Sequence, residues 1–88
     1  MAKYKIEIKR SAVKEIEGLP HKDMLAVLSK IKRLADDPRP HDCKKLSAQE
    51  KYRIRCGNYR ILYAIEDSVL IVFVVKVGHR KDVYRHSA

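Results

Sequence analysis

Residues 2–9 alternate: Tyr4, Ile6 and Ile8 fall on one side, and Lys3, Lys5, Glu7 and Lys9 on the other. A period of two is that of a strand with one buried face. From Ser11 the period changes. Ala12, Val13, Ile16 and Leu19 recur at helical spacing, Ser11 offers an N-cap, and Gly18 and Pro20 end the helix. A longer helix is predicted over residues 21–36, where Met24, Val27, Leu28, Ile31, Leu34 and Ala35 form one apolar stripe. Met24 and Leu28 are expected in the core rather than in a partner groove. Asp36-Asp37-Pro38-Arg39-Pro40 closes this helix.

The second half returns to strand periods. A weak strand at 43–46 leads to a turn at 47–50, then strands at 52–56 and 59–65, and a last, most apolar strand at 69–77. The order β-α-α-β-β-β predicts an α+β fold, a mostly antiparallel four-stranded sheet with a helical hairpin packed on one face. No repeat or linker divides the chain, so residues 1–88 read as a single domain.

Composition narrows the function classes. The 88 residues carry 20 Lys plus Arg against 11 Asp plus Glu, a surplus of 20 − 11 = +9. Such a charge suits a polyanionic partner without saying which. A chain of this length buries only ~60% of its unfolded surface, so an active site is shallow or completed by a partner. No run approaches the ~20 apolar residues of a membrane span, and the N-terminus lacks a signal peptide's apolar segment. The expected location is the cytoplasm, with no membrane partner. There Cys43 and Cys56 remain free thiols.

The most informative segment is 51–63. Gly57-Asn58 is a two-residue hairpin loop, which sets Arg55 opposite Arg60 and Arg53 opposite Leu62. Tyr52, Ile54, Cys56, Tyr59, Ile61 and Tyr63 then share the face toward the helices, with the tyrosines as core aromatics. Lys51, Arg53, Arg55 and Arg60 share the other. Like charges directly opposite destabilise a hairpin by up to roughly 1 kcal/mol. A phosphate site would leave such arginines without acidic partners, because the ligand brings the anion. The plainer alternative is a solvated basic face. Beyond the last strand, Arg80 and Tyr84 add a cation and an aromatic hydroxyl, a pairing suited to a stacked base and its phosphate. The plainer alternative there is a frayed basic terminus.

Other chemistries lack their residues. His41, Cys43 and Cys56 have no second chelating pair, no carboxylate cluster has metal-binding spacing, and there is no nucleotide-binding glycine loop or serine nucleophile elbow. No cofactor or metal is expected.

Taken together, the segments resemble the RelE/ParE superfamily of toxin–antitoxin toxins, and within it the RelE-like ribonuclease branch. The resemblance runs from Ser11-Ala12-Val13-Lys14-Glu15-Ile16 through Leu34-Ala35-Asp36-Asp37-Pro38, Lys44-Lys45-Leu46 and the arginine hairpin to Val77-Gly78-His79-Arg80 with Asp82-Val83-Tyr84. It implies a metal-independent endoribonuclease (an mRNA interferase) that enters the A site of the 70S ribosome and cuts mRNA by attack of the 2′-hydroxyl on the adjacent phosphorus. It also implies a cognate antitoxin as inhibitor, with operator DNA bound only through that antitoxin. By position, Arg53, Arg55, Arg60, Arg80 and Tyr84 match the family's catalytic residues, and Lys44, Lys45, Lys51, His79 and Lys81 are further RNA-binding candidates.

In this chemistry each well-placed cationic donor would contribute ~3–4 kcal/mol to the transition state. Arg53 stands where some members carry lysine, and a guanidinium does not act as a general base. Tyr84, His79, Lys45 and Lys51 are the candidates for that role, Tyr84 first. Two other functions stay open: a ParE-like poison of DNA gyrase, and a non-catalytic basic nucleic-acid-binding module.

Overall fold

The alternating segment at the start of the chain forms β1 (Lys5–Ile8), which leaves the sheet directly into α1 (Arg10–Glu17). The computed structural model describes residues 3–46 and 51–79. In it α2 (His21–Arg33), β2 (Lys44–Leu46), β3 (Lys51–Cys56), β4 (Tyr59–Glu66) and β5 (Ile71–His79) follow in turn. The strands make one sheet in the order β1-β5-β4-β3-β2. Only the β1–β5 pair is parallel.

The sheet has five strands rather than four. The weak strand does pair: Lys44, Lys45 and Leu46 lie opposite Arg53, Tyr52 and Lys51 and give β3 an outer neighbour. The turn predicted at 47–50 lies outside the described residues. Two boundaries also differ from the expectation. Ser11 is not an N-cap, because the Lys9 N–H continues the ladder to Val74 O at 2.8 Å and the helix starts as soon as that bond is made. β5 begins at Ile71 because Asp67–Val69 form a 3₁₀ turn and Leu70 takes a left-handed φ of 55° to reverse the chain.

Both helices pack on the same sheet face. Ala12, Ile16, Val27, Ile31 and Leu34 meet Tyr52, Ile54, Ile61, Tyr63, Ile65, Val72, Val74 and Val77 in one buried cluster. Each such aliphatic side chain contributes about 1.5–3 kcal/mol through removal from water. Met24 is partly buried against this core, but Leu28 is 39% exposed. The expectation that Leu28 is a core residue fails, because it lies toward the edge of the α2 stripe whose centre, Val27 and Ile31, faces the sheet.

At the end of the sheet away from the Gly57-Asn58 loop, polar side chains tie the connections together. The Tyr63 hydroxyl donates to Pro38 O at 2.8 Å. Arg39 forms a two-pronged pair with Asp67 (3.1 and 2.8 Å), donates from Nε to the Tyr52 hydroxyl at 3.0 Å, and lies over the Tyr52 ring. The Tyr4 hydroxyl donates to Asp67 at 2.6 Å. These bonds link the start of the chain, the segment after α2 and the β4–β5 turn. Among the described residues no helix is long and apolar enough to cross a membrane.

Candidate functional site

The site is built on the β3–β4 hairpin. Gly57 has φ +60° and Asn58 does not share a positive φ, the pattern of a two-residue type II′ loop. That loop sets the register: Arg55 faces Arg60, Arg53 faces Leu62, and Tyr52 faces Tyr63. Strand alternation does the rest. Tyr52, Ile54, Ile61 and Tyr63 enter the core, and Cys56 and Tyr59 pack partly buried against it. Arg53, Arg55 and Arg60 occupy the face turned away from the helices.

The neighbouring strands complete two rows across that face. One runs Arg55, Arg60, Gly78; the other runs Lys44, Arg53, Leu62, Lys76. Lys51 lies one step along, beside Ala64. Glycine at 78 places no side chain beside Arg60.

The three arginines differ in depth. Arg55 is exposed and Arg53 half-buried, while Arg60 is only 9% exposed. Arg60 donates one long bond, 3.4 Å from its terminal nitrogen to Tyr59 O, and its buried Nε has no hydrogen-bond partner among the described residues. A buried donor left so costs about 1–3 kcal/mol. Among the described residues Glu7, Glu15, Asp36, Asp42 and Asp67 pair with Lys5, Lys76, Lys3, Lys30 and Arg39. Arg55 and Arg60 thus set two cations opposite each other on one face, an arrangement whose chemistry suits an anion.

Other predicted residues separate from this face. His79 pairs with Tyr59 across the sheet, and its ring meets the Tyr59 ring edge-on at 6.1 Å. The Tyr59 hydroxyl donates to Asp23 of α2 at 3.0 Å, a bond that raises the Tyr59 pKa. His79 thus belongs to the helix side, with Asp23, Ala26 and Cys56, and alternation turns it away from Arg60. That geometry sets His79 on the opposite side of the sheet from Arg60. Burial pushes the Cys56 thiol up and keeps it protonated. Lys45 pairs with Tyr52 and shares its parity, so of the two adjacent lysines only Lys44 joins the arginines. Arg80, Lys81 and Tyr84 lie outside the described residues.

Lys76 was not singled out from the sequence, although a lysine inside an otherwise apolar strand was the available signal. Its partner Glu15, 61 residues away, had none.

Residues 6–84 match the family described as the ParE toxin of the type II toxin–antitoxin system parDE. Over 86 residues the chain is 30% identical to an Escherichia coli protein provisionally named a RelE-like toxin, covering 93% of this chain and 90% of that one. Among solved structures, the fold matches the archaeal RelE–RelB complex of Pyrococcus horikoshii OT3 with a TM-score of 0.81 and 27% identity, covering 91% of this chain and 97% of that one. It also matches the intact Escherichia coli RelBE toxin–antitoxin complex, with a TM-score of 0.76 and 27% identity over 86% of this chain and 95% of that one.

Proposed function

Because the chain belongs to the RelE/ParE superfamily of toxins from toxin–antitoxin systems, we propose that its arginine face cuts mRNA on the ribosome. The observation that carries this reading is Arg60, a nearly buried guanidinium whose Nε has no partner among the described residues, facing a second arginine across the hairpin.

The chemistry follows from that charge. The 2′-oxygen forms a bond to the adjacent phosphorus, its proton leaves, and the bond from phosphorus to the 5′-oxygen breaks, giving a cyclic phosphate and a 5′-hydroxyl. Negative charge grows on the non-bridging oxygens in the transition state. Arg55 and Arg60 are fixed cations on rigid strands, suited to meet that charge without reorganising. Arg53, with Lys44 and Lys51 beside it, tracks the flanking phosphates. Arg80 completes the cationic set, and Tyr84 stacks on a base or moves the proton. No metal ion is called for by this arrangement. An open face cannot hold RNA in line by itself, so the ribosome supplies the substrate's geometry. A cognate antitoxin, as in the complexes of the similar proteins, would cover this face.

A second reading rests on the matched family itself, whose description names ParE: the chain would poison DNA gyrase. Primer extension on mRNA from cells briefly expressing the protein separates the two. Cuts within translated codons, absent with Arg60→Ala, support the ribonuclease. Gyrase-dependent DNA breaks with intact mRNA would replace it with the second reading. Salt-sensitive binding with neither product would leave a nucleic-acid-binding module.

A further inference from the structure

β5 is held on its outer side by two different devices. Over Ile71–Val74 its neighbour is β1, whose ladder ends with Ile8 opposite Val74. Beyond Val74 the chain of β1 has already turned into α1, so among the described residues β5 continues to His79 without an outer strand. The inner register slips at the same place. Leu62 faces Lys76 while Tyr63 faces Val74, which leaves Val75 as the extra residue of a bulge. A bulged strand end with an open edge is locally twisted and weakly specified.

Glu15, from α1, fills this gap. One carboxylate oxygen accepts the Val77 N–H at 3.0 Å, and the other accepts Lys76 Nζ at 2.7 Å. The carboxylate takes the place of a missing strand's acceptor. The bonded amide is next to Gly78, and Gly78 is the residue opposite Arg60. The same contact holds Lys76, which shares a row with Arg53, against an acid on the helix side.

We propose that Glu15 is a positioning residue for the arginine face. By fixing Val77 it sets how Gly78 lies against Arg60. The inference rests on the RNA-cleavage reading above, and it goes beyond it by adding a residue on a helix, on the far side of the sheet.

The test compares Glu15→Ala, which removes the acceptor, with Glu15→Gln, which keeps a carbonyl for the Val77 N–H. Both are measured for cutting rate against ribosome concentration, for amide exchange at Val77, and for thermal melting. With both variants folded, Glu15→Ala lowers the maximal rate about tenfold or more at an unchanged half-saturating ribosome concentration, whereas Glu15→Gln stays within about twofold of wild type. The Val77 amide exchanges faster in Glu15→Ala alone. A Glu15→Ala protein that cuts at the wild-type rate, or keeps Val77 protected, overturns the inference. So does a Glu15→Gln protein that falls as far as the alanine variant. Wild-type protein that cuts no translated mRNA overturns the cleavage reading instead, and exchange at Val77 still decides whether Glu15 holds the strand end.

Discussion

Arg60 is placed where a fold selected for stability alone would not put it. It is buried, it faces Arg55, and its Nε lacks a partner among the described residues. Both the like-charge pair and the unpaired donor oppose folding. Arg60→Ala is therefore expected to hold or raise stability, by up to about 1 kcal/mol, while cleavage is lost. Urea unfolding checks the first part, and a variant destabilised by more than that would mean Arg60 braces the sheet. The pairing of Arg60 with Arg55 was legible in the sequence, because the two-residue loop leaves one register. Its depth was not. Burial depends on neighbours outside the hairpin, and the register of β5 contains a bulge that no local pattern announces. The same gap in register hid that His79 lies beside Tyr59 on the helix side.

Among elements, the hairpin is the one whose local chemistry and final form agree most fully. Gly57 needs its positive φ, and an added Cβ there would meet nothing within 4 Å. The penalty for Gly57→Ala is thus purely one of backbone conformation, about 1–2 kcal/mol. Chemical denaturation should show that loss, and an unchanged midpoint would mean the loop relaxes to another turn type. Elements ruled by distant contacts were less legible. Ser11 looked like a cap, but the last bond of β1 decides where α1 begins. β2 looked weak by itself and becomes a strand because β3 offers it a partner. Leu28 fits the stripe of α2, yet only the centre of that stripe meets the sheet.

For the molecule as a whole, the α+β class and the helical layer followed from period and order, while the tie between Arg39 and Asp67 could not have been read from residues 28 apart. That tie makes stability depend on acid. The Arg39 guanidinium and the Tyr4 hydroxyl hold the Asp67 carboxyl at about 2, against ~3.9 for a free aspartate. A carboxylate with a depressed folded pKa adds stability that is fully present above its unfolded value and lost as pH falls toward the folded one. Wild-type melting temperature should therefore drop between about pH 5 and pH 2 more steeply than that of Asp67→Asn. Parallel curves for the two proteins would show that the pair adds nothing.

The parallel pairing of β1 with β5 has a consequence in time. Lys5 lies against Ile71, so the earliest strand to be synthesised has no sheet to join until the latest one exists. Contacts of such sequence separation slow folding, since a long loop must close before they form. A partly translated chain holds Arg55 and Arg60 on a hairpin whose inner strand β4 still lacks its second neighbour, and Glu15 has no Val77 to hold. In a growing chain the row of Arg55, Arg60 and Gly78 is complete only once β5 has been made.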